Sequence, residues 1–197
     1  MDSFQKKQKR GFTLVELLVV IGILVVLSTA TLIVLNPVEL FRQARDSQRF
    51  TDLTNIGNAL SFYLSTASTT DLDGTYVGCS SLCFTYVAET AASCGGRHPG
   101  KTSTVIPLRS VNGAGWIPVR FIDSSGGSPI SALPIDPVND TTYFYSYACD
   151  NTEKTFELDA DIESNRYKTG GDQDKETGDG GNSVSYYEVG TDADLDL

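Results

Sequence analysis

Residues 17–35, LLVVIGILVVLSTATLIVL, contain no charged side chain. Nineteen residues at about 1.5 Å each make roughly 28 Å of helix, close to the hydrocarbon thickness of a bilayer. A run of this length and composition predicts a membrane-spanning helix, and whatever follows it must build a core without it. Lys6, Lys7, Lys9 and Arg10 precede the run against a single acid, Asp2, which gives residues 1–11 a charge of +3. By the positive-inside bias the N-terminus stays cytoplasmic and the chain beyond residue 36 lies outside.

Two features of KRGFTLVELLVV, residues 9–20, do not suit an ordinary export signal. Such a signal is cut after its apolar region at small residues, whereas here the glycine, Gly11, stands before it. Glu16 is a carboxylate at the edge of the apolar run. At a helix centre it would cost about 2.5 to 3.5 kcal/mol on insertion scales, and it is tolerated because it lies only about 6 Å of helix from residue 12, where water is near. Farther along, Gly22, Ser28, Thr29 and Thr31 allow close helix contacts and local unwinding, and Pro37 removes a helical hydrogen bond.

Asn36, Pro37 and Glu39 fit a helix start, and Leu53, Ile56, Leu60 and Leu64 then recur at three- and four-residue steps. This predicts an amphipathic helix over 36–66 with Arg45, Arg49 and Asp52 on its exposed surface, continuing the helix of residues 12–35 with a bend near Pro37. From residue 67 to 197 the pattern changes to short strands between turns. Candidates are 84–88, 104–108, 116–122, 143–149, 155–162 and 183–189. TYFYSYAC and TFELDADI around 150–154 form the clearest hairpin, with Phe156, Leu158, Ala160 and Ile162 inward and Glu157, Asp159 and Asp161 outward. The expected fold class is α+β: a long N-terminal helix packed on one face of an antiparallel sheet.

The chain of 197 residues carries a formal charge of −10, and residues 151–197 hold thirteen acids against four bases. That field repels phosphate, so nucleic acid is not an expected partner. GGRHPGKT, residues 95–102, matches the phosphate-loop pattern in letters, yet it lacks the preceding strand and following helix that converge N–H groups on phosphate. Cys79, Cys83, Cys94 and His98 could surround zinc, but four cysteines in an exported domain, these three and Cys149, are better read as two disulfides, with three pairings open. Asp172, Asp174, Glu176 and Asp179 form an acidic, glycine-rich loop that a calcium ion would suit, although the spacing is not that of an EF-hand and a solvated loop is the favoured reading. No nucleophile, base and orienting group stand together, so no enzyme is expected.

At Gly11-Phe12-Thr13-Leu14-Val15-Glu16 the chain resembles the class III prepilin signal of type IV pilins and type II secretion pseudopilins. The likeness is greatest over residues 6–35 and extends through the helix ending near Ser65. LPIDP, Leu133–Pro137, and the hairpin after it are similar to the sheet region of major, G-type pseudopilins. The resemblance implies a pilin-like fold and a leader, residues 1–11, removed after Gly11 by a prepilin peptidase that also methylates Phe12. It further implies extraction from the cytoplasmic membrane into a homopolymeric filament by an assembly platform and motor ATPase, with other minor pilins as partners. In that filament Glu16 would pair with the new α-amino group of Phe12. Two other roles keep the same anchor: a membrane-bound extracytoplasmic interaction module, calcium-dependent or not, and a minor, filament-initiating pilin.

Overall fold

A computed structural model describes residues 11–76, 78–87 and 92–197; the basic leader residues 1–10 and the end of the expected strand 84–88 lie outside the described residues. The chain forms two compact units, residues 1–40 and 41–197. The first is dominated by helix α1, Leu14–Leu35, which is unbroken through Gly22 and the small-residue segment after it. Thr29 and Thr31 return their hydroxyls to the carbonyl oxygens of Val25 and Leu27, so they bond along their own helix. The interruption is confined to Asn36, which takes a left-handed conformation (φ 40°). Helix α2 then runs Pro37–Thr66, with proline at its first position, where no N–H is missed.

In the second unit the described strands form one sheet in the order β2-β1-β3-β4-β5. They are β1 Leu82–Thr85, β2 Thr102–Val105, β3 Tyr145–Asp150, β4 Thr155–Ala160 and β5 Tyr187–Gly190. Neighbours pair antiparallel except β1 and β2, which run parallel, so the wholly antiparallel sheet expected from sequence is corrected at that edge. The connection between β1 and β2 includes α3, Ala92–Gly96, a short turn in which Ser93, Cys94 and Gly95 all have positive φ. The expected strand 116–122 is instead irregular chain ending in a 3-10 turn at Phe121–Asp123, with one isolated bridge from Asn112 to Arg120. Pro118 has no N–H to extend a ladder there.

The apolar stripe of α2 does what its spacing implies. Leu53, Ile56 and Leu60 are fully buried, with Leu64 at the margin, against Phe84, Tyr147, Phe156, Leu158 and Ala160 from one face of the sheet. Trp116, Ile117, Val119, Phe121 and Leu133 close the same core, and the Trp116 indole N–H donates to the Pro134 carbonyl at 3.0 Å.

Two sequence expectations fail on burial. The opposite face of the sheet is not open to solvent. Cys83, Phe144 and Ala148 pack there with Cys94 and Val87, while Glu157 and Asp159 are buried beneath the 92–101 segment. Strand β3 is buried at Tyr145 through Cys149, on both parities, as a strand covered on both faces must be. Arg49, expected on the surface of α2, is also 0% exposed, because three carboxylates enclose it.

Candidate functional site

The cysteines resolve into Cys79–Cys149, separated by 70 positions, and Cys83–Cys94, separated by 11. The first lies in the core beneath α2 and the second on the other face, so each covalently holds one side of the sheet. Both pairs are closed, which removes these thiols as zinc ligands.

The segment singled out at the N-terminus is organised by its own hydrogen bonds. Thr13 caps α1, and its hydroxyl accepts from the Glu16 N–H at 3.2 Å. The Glu16 carboxylate in turn accepts from the Thr13 N–H and hydroxyl, both at 2.8 Å. This is a capping box, a T-x-x-E pattern visible in the sequence and not used there. Glu16 therefore has hydrogen-bond partners within its own chain. A Cβ built on Gly11 would meet nothing within 4 Å, and the same holds at Gly22. Among the described residues, nothing requires glycine at either position. Phe12 is 81% exposed.

A buried charge network ties α2 to two loops. Arg49 donates from Nε and Nη2 to the two oxygens of Asp136 at 2.6 and 2.9 Å, and from Nη1 to Asp46 at 2.7 Å. Its Nη2 also lies 2.7 Å from Glu163, which Arg45 grips through Nε and Nη2. Asp46 accepts the main-chain N–H groups of Glu163 and Ser164, and Asp136 those of Val138 and Asn139. LPIDP is thus a clamp whose aspartate seats a helix arginine. Burial alone would raise the Glu163 carboxyl, but hydrogen bonds from Arg45 and Arg49 outweigh it and hold the group below its ordinary value.

The expected calcium residues are spread over separate tasks. Asp174 receives the N–H groups of Gly170, Glu176 and Thr177. Glu176 is buried and receives Thr169, Asp179 receives Gly181 and Glu188, and Asp172 is exposed.

A different group converges on the second face of the sheet. Pairing places Thr85, Ser146, Asp159 and Glu188 in one buried row across β1, β3, β4 and β5, with Glu157 in the row beside it. His98 descends onto them from the covering segment. Its Nδ1 lies 3.0 Å from the main-chain oxygen of Leu197, its Nε2 3.1 Å from the Ser146 hydroxyl and 3.4 Å from Asp159. Among the described residues, His98, Glu157 and Asp159 are the group of three donors within 4.8 Å of one another. Burial lowers the His98 ring to about 3 and keeps it neutral. Burial likewise raises Glu157 to about 8, and Asp159 well above its ordinary value with the Glu157 charge adding to it. Sequence parity had assigned these two acids to water; the signal against that was Ala148 of β3 and Phe144 just before it, which are apolar on the same face.

Comparison with protein families matches residues 6–32 to the prokaryotic N-terminal methylation motif. This is a class III signal, consistent with the type IV pilin and pseudopilin family. The α+β architecture of a long apolar helix, a second helix and a five-stranded, mostly antiparallel sheet is consistent with a pilin-like fold. No curated protein and no solved structure matches the chain significantly.

Proposed function

We propose that this chain, carrying the N-terminal methylation motif, is a structural subunit of a type IV pilus or type II secretion pseudopilus. The carrying observation is the position of that motif: it runs onto an apolar helix, Leu14–Leu32, long enough to cross a membrane and with none of its residues buried. An uncovered helix of this kind has two stable surroundings, lipid and the bundled helices of a filament. The chain would use both in succession.

In this reading a prepilin peptidase on the cytoplasmic side cuts after Gly11 and methylates the amino group of Phe12. The steric freedom at Gly11 supports this, because the demand for glycine then comes from the enzyme. The acidic domain lies outside the cytoplasmic membrane, and an assembly platform and motor ATPase draw the subunit into the polymer beside other minor pilins. Glu16 leaves its cap to meet the α-amino group of Phe12 on a neighbour, since a carboxylate entering a packed apolar core is stable only when paired.

Intact-mass analysis of the protein from membrane and sheared-filament fractions, with immunogold electron microscopy, tests the reading. Loss of residues 1–11 with one methyl added, in a chain labelling filaments along their length, is the expected outcome. A retained leader overturns it. Processed chain confined to filament tips identifies a minor initiating subunit, and processed monomer without filaments identifies a membrane-anchored interaction module.

A further inference from the structure

The cluster on the second face of the sheet is short of positive charge at its centre. The main-chain oxygen of Leu197 can only accept, so His98 Nδ1 carries the proton and Nε2 of the neutral ring presents a lone pair. That lone pair lies 3.4 Å from Asp159 Oδ2. Asp159 is 0% exposed; among the described residues no N–H or hydroxyl group donates to its carboxylate oxygens, and it shares a hydrogen bond with the Glu157 carboxyl. Glu157, also buried, adds a second carboxylate, one of whose oxygens accepts the Leu197 N–H at 2.7 Å. The nearby cations point elsewhere. Arg97 directs its Nη groups to the carbonyl oxygens of Cys94 and Thr142, and Lys101 its Nζ to those of Cys79 and Ser80. Acceptors crowded together in a dry interior are costly unless protons or a cation between them neutralise their charge.

We propose that His98 Nε2, Glu157 and Asp159 bind a divalent cation of the zinc class, with the Ser146 hydroxyl as the nearest fourth donor. Two ligands each about 2.1 Å from a tetrahedral zinc stand about 3.4 Å apart. This is the separation of His98 Nε2 and Asp159 Oδ2. The imidazole nitrogen selects a first-row ion over calcium or magnesium, which prefer oxygen throughout. The Leu197 oxygen, the usual kind of outer partner of a metal-bound histidine, fixes the tautomer whose Nε2 lone pair faces Ser146 and Asp159 and can ligate. On the tail side Leu197, which contacts His98 and Glu157, borders a surface pocket with Asp196, Ser80, Gly100, Lys101 and Asp150. The ion's role is structural: it fastens the covering segment to β4, near the point where Cys83–Cys94 fastens it to β1.

The test uses the full-length protein in detergent, with both disulfides intact and no polyhistidine tag, stripped with chelator and dialysed. Titration with zinc chloride, followed by elemental mass spectrometry and thermal unfolding, should give one zinc per chain and a higher unfolding midpoint. Cobalt chloride should produce the visible absorption of a four-coordinate nitrogen and oxygen site. His98→Gln should weaken zinc by about tenfold or more and abolish the cobalt band. Asp159→Asn should remove both binding and the shift in midpoint. Because either variant could fold poorly, the wild-type count decides. Substoichiometric uptake with zinc in excess, the result for a cluster neutralised by protons alone, overturns the proposal. So does zinc retained undiminished by folded Asp159→Asn, or stabilisation by calcium chloride and not by zinc.

Discussion

Arg49 and Asp136 meet through two hydrogen bonds, Nε to Oδ2 at 2.6 Å and Nη2 to Oδ1 at 2.9 Å, with both side chains shielded from water. They stand 87 positions apart in sequence. A planar guanidinium and a carboxylate match in this side-by-side geometry, which lysine cannot reproduce. The pair fixes the LPIDP loop to α2, and through Asp46 and Glu163 it also holds the chain leaving β4.

Removing one member of this network leaves buried charge unpaired. Arg49→Met and Asp136→Ala are each expected to cost on the order of 3 to 5 kcal/mol, and Arg49→Lys to recover only part of that loss. Urea unfolding of the full-length protein in detergent checks this, and a loss under about 1 kcal/mol for Asp136→Ala would refute the clamp.

Acid should loosen the same network. Glu163 faces Arg45 and Arg49, and through Arg49 it meets Asp46 and Asp136. Its folded value lies below the ordinary glutamate value of 4.5 expected in the unfolded chain. The folded state therefore prefers the ionised form. That contribution is present above about pH 4.5 and is lost as pH falls through the lowered folded value. Thermal midpoints measured from pH 6 down to pH 3 should fall more steeply for wild type than for Glu163→Gln. Parallel curves would mean that Glu163 carries none of the acid sensitivity.

The capping box separates two roles of Glu16. Glutamine can still reach back to the Thr13 N–H, whereas valine cannot. Membrane insertion and leader removal should survive in both variants, while filament yield falls in both because each lacks the carboxylate. Losing the cap should cost the valine variant about 1 kcal/mol more in the first turn of α1. Hydrogen exchange at the first-turn amides and filament counts by microscopy read the two effects apart, and normal filaments from Glu16→Gln would exclude charge pairing.

The two disulfides should contribute unequally. In the chain-entropy account the 70-position bridge restricts the unfolded chain by about 1.5 kcal/mol more than the 11-position bridge. Cys79→Ala with Cys149→Ala should therefore destabilise more than Cys83→Ala with Cys94→Ala. The reverse order in denaturant midpoints would show that fastening the second face of the sheet matters more than chain entropy.

Local spacing was enough to determine the membrane-length helix, its restart at Pro37, the Leu53-Ile56-Leu60 stripe and the β3–β4 hairpin. Each depends on periodicity or on turn chemistry within about ten residues. The segment Gly11–Glu16 was likewise legible, because it belongs to a contiguous sequence motif, residues 6–32, that needs no folded surface to be read. Tertiary structure alone decided which cysteines pair, that Arg49 is buried, and that Glu157 and Asp159 face His98 instead of water. Those outcomes depend on partners 87, 59 and 61 positions away, and a strand's two-residue period says which side a residue takes without saying what covers that side. The second cover, residues 92–101, is held by a disulfide and by a left-handed turn, neither of which leaves a periodic trace in the sequence.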